Sequence, residues 1–474
     1  MSNNYESPFS GRYASKEMQD LFSPQKRAIT WRRLWIALAS AEMKSGLPVT
    51  REQIDEMTAN ADKIDFVRIA EIEKQTRHDV MAHIRAYGEV CPKAAGIIHL
   101  GATSCYVTDN ADIIIMREAL EIVSAKLLTV IKNLCDFALM YKDLPTLAYT
   151  HLQAAQPTTV GKRTSLWLQD FYIDYGDIEY IRKGLRLLGN KGATGTQASF
   201  LRLFDGDAGM VIELENMIAE YFGFSSVFDV SGQTYTRKED MRIQSVLSGV
   251  AQSAYKFCQD LRLLQSFGEL EEPFGKNQVG SSAMAYKRNP IRSERVCSIA
   301  RFVLANSANA DMTASVQWLE RSLDDSANRR ISLAEGFLAV DSILNLLIDI
   351  TSGITVYPKV VEKRLLEHLP FIATENILME AVKKGGDRQM LHERIRTYSI
   401  DTELAKKQGE EISLIDKIKS DPDFGLCEEE LVAILNPRDF IGMAPLQTER
   451  FIKERILPIL KDYDGKYSDS IIRV

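Results

Sequence analysis

The chain has 474 residues and a formal net charge of -7, with 45% hydrophobic and 26% charged residues. This balance is typical of an ordinary globular protein rather than a disordered or membrane protein. The acidic excess argues against a nucleic-acid-binding surface, because such a surface needs basic residues to neutralise phosphates. The length exceeds one ordinary core, so we expect two to four domains or one elongated core.

The cysteines and the first residues of the chain bear on its location. The six cysteines are dispersed, with no C-x-x-C pair and no nearby histidine to complete a zinc set, and we interpret them as reduced thiols. Residues 1–15 are polar and lack the pattern of a secretory signal. No run of about twenty apolar residues occurs. We therefore expect a cytoplasmic protein that does not bind membranes or nucleic acid.

Apolar residues in the centre of the chain recur at alternating steps of three and four, the spacing of long packed helices. The first stripe is Ile113, Met116, Leu120, Val123, Leu127, Val130, Leu134 and Phe137. Further stripes are Trp167, Phe171, Tyr175, Ile178, Ile181, Leu185 and Leu188; Ile243, Leu247, Val250, Ala254, Phe257, Leu261 and Leu264; and Leu333, Phe337, Val340, Leu344 and Leu347. Helices with a period of about 3.5 residues should form a left-handed bundle.

The length of these helices also predicts association. A helix of about thirty residues spans about 45 Å, which is too long for one chain to cover on all sides. Further copies of the chain should cover the rest.

Glycine and proline interrupt this pattern and suggest the domain boundaries. Residues 189–204 and 271–280 are predicted loops and candidate mobile segments, and Tyr357-Pro358 ends the bundle. We therefore predict an all-α chain with three domains. These are an N-terminal helical domain (1–103), a central long-helix bundle (104–356) and a C-terminal helical domain (357–474).

Several weaker motifs can be set aside. Gly161-Lys162 lacks the upstream glycine of a phosphate-binding loop, and the glycines of residues 189–195 follow a helix rather than a strand. His78 and His83 are five residues apart, which does not align them on one helical face as metal ligands. We predict no metal site.

The most informative segment is the polar loop GSSAMAYKRNP at residues 280–290, followed by a predicted helix over about residues 291–305. A serine acts as a base only where positive charge and backbone donors stabilise its alkoxide, which Lys287 and the helix start could supply. The alternative is a serine-rich turn with a lysine in solvent. From the residues alone, neither this choice nor that between Ser281 and Ser282 is decided.

This loop resembles the signature GSSxMPxKxNP of the fumarase/aspartase superfamily, whose members eliminate fumarate from substituted succinates. Only Ala285 departs, where the family has proline; this could loosen the loop but removes no chemical group. Two further segments resemble the superfamily's other signature regions. They are LGATS with TDN, within residues 100–110, and YTHLQAAQPTT at residues 149–159.

Within the superfamily, the chain resembles the adenylosuccinate lyase family of the type found in animals. Four more segments match: SGRYAS at residues 10–15, RHDVMAH at 77–83, QWLERSLDDSANRR at 317–330 and GGDRQ at 385–389. The resemblance covers nearly the whole chain.

The resemblance implies a cofactor-free β-elimination in purine nucleotide biosynthesis. Adenylosuccinate would give AMP and fumarate, and succinylaminoimidazole carboxamide ribotide would give AICAR and fumarate. By the family's pattern, Ser281 removes a proton from the succinyl carbon and His151 protonates the departing nitrogen, a role that suits an imidazole near neutral pH. His78 would assist as an acid or in phosphate binding, and Lys287 would stabilise the charged intermediate.

The same pattern implies a substrate-binding set. The substrate carries about four negative charges, so an acidic protein must concentrate cations locally. The implied residues are Arg12, Tyr13, Arg77, Asp79, Thr103, Ser104, Thr150, Gln233, Asn289, Arg295, Arg321, Ser326 and Arg330. His99, His368 and His392 are assigned structural roles.

The family assembles as a homotetramer with sites shared between three chains. The resemblance therefore implies a multi-helix core in which His78, His151 and Ser281 meet from different subunits, with residues 271–290 closing over the substrate. Two alternatives remain open. One is a sibling lyase acting on argininosuccinate, aspartate or malate. The other is a structural protein derived from such a lyase, as some lens crystallins are, which a fumarate-release assay would distinguish.

Overall fold

The computed structural model describes residues 5–275 and 278–468. The protein is 67% helical with little strand, which confirms the all-α prediction. The two residues that separate the described ranges fall within the predicted mobile loop 271–280, and that part of the prediction lies outside the described residues.

A bundle of five long helices forms the centre of the described chain. They are α6 (Ser104–Met140), α7 (Val160–Gly184), α10 (Lys238–Ser266), α11 (Ile291–Val316) and α12 (Asp325–Ser352). The stripe on α6 is buried throughout, as are the stripes on α10 and α12. The α7 stripe outlasts its helix, since Leu185 and Leu188 lie beyond Gly184 but are still buried. The helix after the serine-containing loop continues to Val316, past its predicted end.

Shorter helices flank the bundle on both sides. Before it come α1 (Lys16–Leu21), α2 (Pro24–Lys44), α3 (Arg51–Ala59), α4 (Phe66–Thr76) and α5 (Asp79–Val90). Within the central region lie α8 (Ala198–Leu203) and α9 (Ala208–Tyr221). After it come α13 (Pro358–Ile372), α14 (Thr374–Lys383), α15 (Arg388–Lys407), α16 (Leu414–Lys419), α17 (Glu428–Ile434), α18 (Ala444–Phe451) and α19 (Leu457–Ile459). The predicted loop 189–204 therefore ends in a short helix.

Short strands accompany the helices. β1 (Pro145–Thr150) and β2 (Gln153–Thr159) form an antiparallel hairpin, and β3 (Leu270–Glu271) pairs with β4 (Thr355–Val356). The pairing of β3 with β4 joins the chain after α10 to the chain after α12. These two helices therefore end at the same side of the bundle.

Among the residues that the structure describes, the buried side chains form one large core and two smaller separate ones, the smallest of which lies between α4 and α5. The large core joins the N-terminal helices to the bundle, and Ile452 and Ile456 return to it from the end of the chain. The other small core comprises buried residues between Ala373 and Leu431. The two boundaries between the three predicted domains stay a prediction.

The helix α12 is long and apolar enough to cross a membrane by length and composition. However, 78% of its most apolar window is buried inside the protein. A helix that is apolar on nearly all sides is expected in the centre of a bundle.

Buried ion pairs hold one end of the bundle together. Arg237, just before α10, donates to Asp109 of α6 at 2.9 Å and to Asp325 of α12 at 2.7 Å. Arg329 of α12 pairs with Asp240 of α10 at 2.6 Å. These contacts place the N-terminal parts of α6, α10 and α12 side by side.

Candidate active site

The first group of expected site residues lies where α5 and α6 begin. His78 is the N-cap of α5, and its Nδ1 accepts a hydrogen bond from the Met81 backbone N–H at 3.3 Å. In the neutral ring, the proton therefore resides on Nε2. This Nε2 lies 3.5 Å from the hydroxyl of Ser104, the first residue of α6. Two helix N-termini thus converge, an arrangement that favours a bound anion.

Charged side chains surround this pair. Arg330 donates to Asp79 at 3.2 Å, and Arg321 donates to Asp325 at 2.9 Å. Arg77 ends α4 in the left-handed conformation, with φ 51°. The expected residues at this end of the bundle are Arg77, His78, Asp79, Thr103, Ser104, Gln233, Arg321, Ser326 and Arg330. We call them the first cluster.

Gln233 is held within the first cluster by three neighbouring segments. Its backbone N–H donates to the Glu320 carbonyl at 2.9 Å, next to Arg321. Its side-chain Nε2 donates to the Ala193 carbonyl at 3.0 Å, and Cys105 lies against its Oε1. The predicted loop 189–204 therefore forms one wall of this cluster.

The serine loop, residues 278–290, forms a second site. Ser281 Oγ accepts hydrogen bonds from the backbone N–H groups of Ala283 at 3.3 Å and Met284 at 3.1 Å. Asn289 donates to the Gly280 carbonyl at 2.7 Å and closes the loop on itself. A Cβ on Gly280 would lie 2.1 Å from the Lys287 carbonyl oxygen, so this closure requires glycine.

Two cations accompany the serine loop. Lys287 is exposed on the loop itself. Arg295 lies on the second turn of α11, and its Nη1 is buried without a hydrogen-bond partner among the described residues. A buried guanidinium N–H without a partner is costly, so an anion is a suitable partner for it.

His151 occupies the tip of the β1–β2 hairpin, which the sequence analysis did not predict. Thr150 pairs with Gln153, so His151 and Leu152 form a two-residue turn. Both residues have a positive φ, 53° and 58°, a backbone conformation that residues other than glycine and asparagine rarely adopt. The hairpin therefore holds the His151 imidazole on an exposed tip at the cost of local strain.

Arg12 and Tyr13 lie elsewhere, against α12. The guanidinium of Arg12 is 5.7 Å from the centre of the Tyr13 ring. The Tyr13 carbonyl accepts from Asn345 at 3.3 Å, and the Ser15 N–H donates to Asp341 at 2.6 Å. Asp341 is also paired with the buried Lys126, which anchors this segment.

One chain thus holds the expected residues in separate places. The first cluster lies where α10 begins, whereas the serine loop contacts its end, since Gln265 donates to the Arg288 carbonyl at 3.0 Å. The 29 residues of α10 span about 43 Å at the usual helical rise. Tyr149 of the hairpin also contacts Glu269, beyond that same end. Within residues 5–275 and 278–468, no hydrogen bond joins His151, His78 and Ser281.

Sequence reasoning missed the residues that hold these groups in place. Arg237 and Asp109 are 128 residues apart in the chain, and no local pattern indicates their pairing. The contacts of Cys105 and Ala193 with Gln233 are also long-range. In the described part of the chain, no group of three or more His, Cys, Asp or Glu residues could hold a metal ion.

Comparison with known proteins identifies the family. A family model described as "Lyase" matches residues 12–305, and one described as "Adenylosuccinate lyase C-terminus" matches residues 370–451. The chain is 49% identical to adenylosuccinate lyase of Saccharomyces cerevisiae, covering 99% of this chain and 98% of the relative. It is 47% identical to that of Schistosoma mansoni, covering 97% and 96%.

Solved structures agree with the fold. A 3-carboxy-cis,cis-muconate lactonizing enzyme from Pseudomonas putida has a TM-score of 0.83 at 24% identity, covering 94% of this chain and 98% of that chain. A fumarate lyase from Mesorhizobium sp. BNC1 has a TM-score of 0.80 at 22% identity, covering 95% and 100%. The fold, the two family models and the full-length relatives together establish that this chain is a lyase that belongs to the adenylosuccinate lyase family of the fumarase/aspartase superfamily.

Proposed function

We propose that the chain cleaves adenylosuccinate to AMP and fumarate, and succinylaminoimidazole carboxamide ribotide to AICAR and fumarate. The observation that supports this best is the full-length likeness to adenylosuccinate lyases, including their C-terminal region. The first cluster suits a substrate with phosphate and carboxylate groups, because it joins several arginines to two helix N-termini.

In the proposed mechanism, Ser281 takes a proton from the succinyl carbon next to a carboxylate. The two backbone N–H groups on Ser281 Oγ support this role, since donors to an oxygen favour its anionic form. The electron pair left on carbon forms a dianionic carboxylate intermediate, which then expels the nitrogen and becomes fumarate. His151 gives the nitrogen its proton, and Lys287 offsets the charge of the intermediate.

The same proposal includes a homotetramer with shared sites. Its support is the distance of about 40 Å along α10 between the first cluster and the serine loop, which one chain cannot close. Exposed apolar residues on α7 add to this, because Leu166, Ile173 and Tyr180 recur every seven residues along its outer face. Another copy, running in the opposite direction, could cover this face and bring the two sites together.

A cytoplasmic location is the last part of the proposal. The structure contains six free cysteines, five of them buried. Free thiols are typical of a reducing compartment. Imaging of a fluorescent fusion in the source cell tests this location. Fluorescence in an organelle or outside the cell would contradict it.

The activity is tested by following the ultraviolet absorbance of each succinylated substrate with the wild type, Ser281→Ala and Ser282→Ala. We expect Ser281→Ala to lose about 100-fold or more in kcat, the range for loss of a general base. Ser282→Ala is the matched control on the same loop and should keep most of the activity. Equal losses in both variants would contradict the assignment of Ser281, and no cleavage by folded wild type would contradict the substrate.

The shared site is tested by co-expressing two inactive variants, Ser281→Ala and His78→Ala. If the two groups meet from different chains, some sites in mixed assemblies regain both groups and activity returns. Co-expression of Ser281→Ala with Lys287→Ala is the control, because both changes lie on one loop. Recovery in neither mixture, or equal recovery in both, would contradict the shared site.

A further inference from the structure

The side-chain amide of Gln233 is held from two sides. Its Nε2 lies 3.0 Å from the Ala193 carbonyl oxygen, and its Oε1 lies 3.4 Å from Cys105 Sγ. A backbone carbonyl can only accept a hydrogen bond, so the amide nitrogen must face Ala193. The amide oxygen must therefore face the thiol, and the thiol must be the donor.

The state of the thiol fits this role. Cys105 is 4% exposed, on the first turn of α6 next to Ser104. Burial raises the pKa of the Cys105 thiol to about 12. The sulfur therefore keeps its proton at neutral pH and can donate it.

The backbone of Gln233 is also fixed. Its N–H donates to the Glu320 carbonyl, and a Cβ on the preceding Gly232 would lie 2.5 Å from that same oxygen. On the other side, a Cβ on Gly195 would lie 1.9 Å from the Ser231 carbonyl oxygen. The main chain is thus packed between two segments, and the side-chain torsions are the freedom that remains.

Gln233 is only partly buried. After the contacts with Ala193 and Cys105, one N–H of Nε2 and one lone pair of Oε1 remain for a ligand. Which of the two faces the ligand depends on the orientation of the amide. A flipped amide would place two acceptors together at Ala193.

We propose that Cys105 is a positioning residue, whose thiol donates to Gln233 Oε1 and fixes the orientation of an amide that contacts the substrate. The inference rests on the proposed function, because it assigns Gln233 to the same site. Cys105 itself does not contact the substrate. Its loss should therefore weaken binding of substrate and transition state alike, which raises KM and leaves kcat nearly unchanged.

The experiment measures kcat and KM for adenylosuccinate with the full-length wild type, Cys105→Ala and Cys105→Ser. Removing the donor should raise KM about threefold to tenfold, the usual net effect of one hydrogen bond. Cys105→Ser keeps a donor and should stay closer to the wild type. Cys91→Ala, which removes another buried thiol, is the control and should leave KM unchanged. If Cys105→Ala does not fold, Cys105→Val provides a donor-free side chain that fills the space.

A double-mutant cycle separates positioning from packing. In a Gln233→Ala background, the change Cys105→Ala should have no further effect on KM, because the thiol has lost the group on which it acts. A full effect in that background would overturn the proposal. So would an unchanged KM in Cys105→Ala, or equal increases in the alanine and serine variants. A failure of the proposed function would give a different result, because the folded wild type would then not cleave adenylosuccinate. In that case the inference about Cys105 fails as well.

Discussion

Glu42 provides the sharpest test of how burial controls the stability of this protein. It lies on α2, is 0% exposed, and neither carboxyl oxygen has a hydrogen-bond partner among the described residues. Burial raises the pKa of Glu42 to about 8. Between the ordinary glutamate pKa and this value, the folded state binds more protons than the unfolded state. The free energy of unfolding therefore falls as pH rises through this window.

The magnitude follows from the two pKa values. Each pH unit between them is worth about 1.4 kcal/mol, so Glu42 destabilises the fold by about 2 kcal/mol at pH 6 and about 5 kcal/mol at pH 9. Glu42→Gln removes the titration and keeps nearly the same shape. The free energy of unfolding of this variant, relative to that of the wild type, should thus increase by about 3 kcal/mol between pH 6 and pH 9.

Urea unfolding at pH 6 and pH 9 measures this difference, at one fixed protein concentration because association affects apparent stability. The control is Glu213→Gln, which changes an exposed glutamate on α9. It should follow the wild-type dependence on pH. If the free energy of unfolding depended on pH in the same way for the wild type and Glu42→Gln, the reasoning would be refuted. That result would mean that Glu42 is solvated or partnered in solution.

Three further predictions concern packing and the serine loop. Arg237→Met leaves Asp109 and Asp325 buried without their shared cation, and should lower the free energy of unfolding by about 3–5 kcal/mol in urea titrations. Gly195→Ala should lower thermal stability and raise KM, because its Cβ would lie 1.9 Å from a carbonyl oxygen at φ 82°. Ala285→Pro should keep activity and raise stability by up to about 1 kcal/mol. Ala285 is the second residue of a turn closed by the 3.0 Å bond from Lys287 N–H to Met284 C=O, where proline is favoured.

The first two of these changes each have a matched control. Arg186→Met breaks an exposed pair with Asp229 and should change stability by less than about 1 kcal/mol. Gly206 also has a positive φ, but a Cβ there would have no neighbour within 4 Å in the part of the chain that the structure describes. The extra loss of stability in Gly195→Ala, compared with Gly206→Ala, therefore measures the clash with the carbonyl oxygen. Equal losses of stability in Arg237→Met and Arg186→Met would contradict the role of burial. Equal losses in Gly195→Ala and Gly206→Ala would contradict the role of the clash. Loss of activity in Ala285→Pro would show that the loop needs the freedom that alanine allows.

Much of the fold could be predicted from the sequence, because the signals are local. A heptad stripe indicates a long helix from the spacing of its own apolar residues, and α6, α10 and α12 are confirmed in this way. The short motif around Ser281 likewise identifies the family without any tertiary information. The catalytic and binding roles inferred from that family stay predictions.

Other features depend on contacts between distant segments, and only the tertiary structure decided them. The hairpin places His151 on a strained tip, and the pairing of Arg237 with Asp109 and Asp325 brings the starts of three helices together. The same end of the bundle places Cys105 beside Gln233, 128 residues away. The sequence alone determined the helical bundle and the family, because apolar spacing and short motifs depend only on residues that are close together in the chain. The positions of the site groups required the folded chain, because burial and hydrogen bonding arise where distant residues meet.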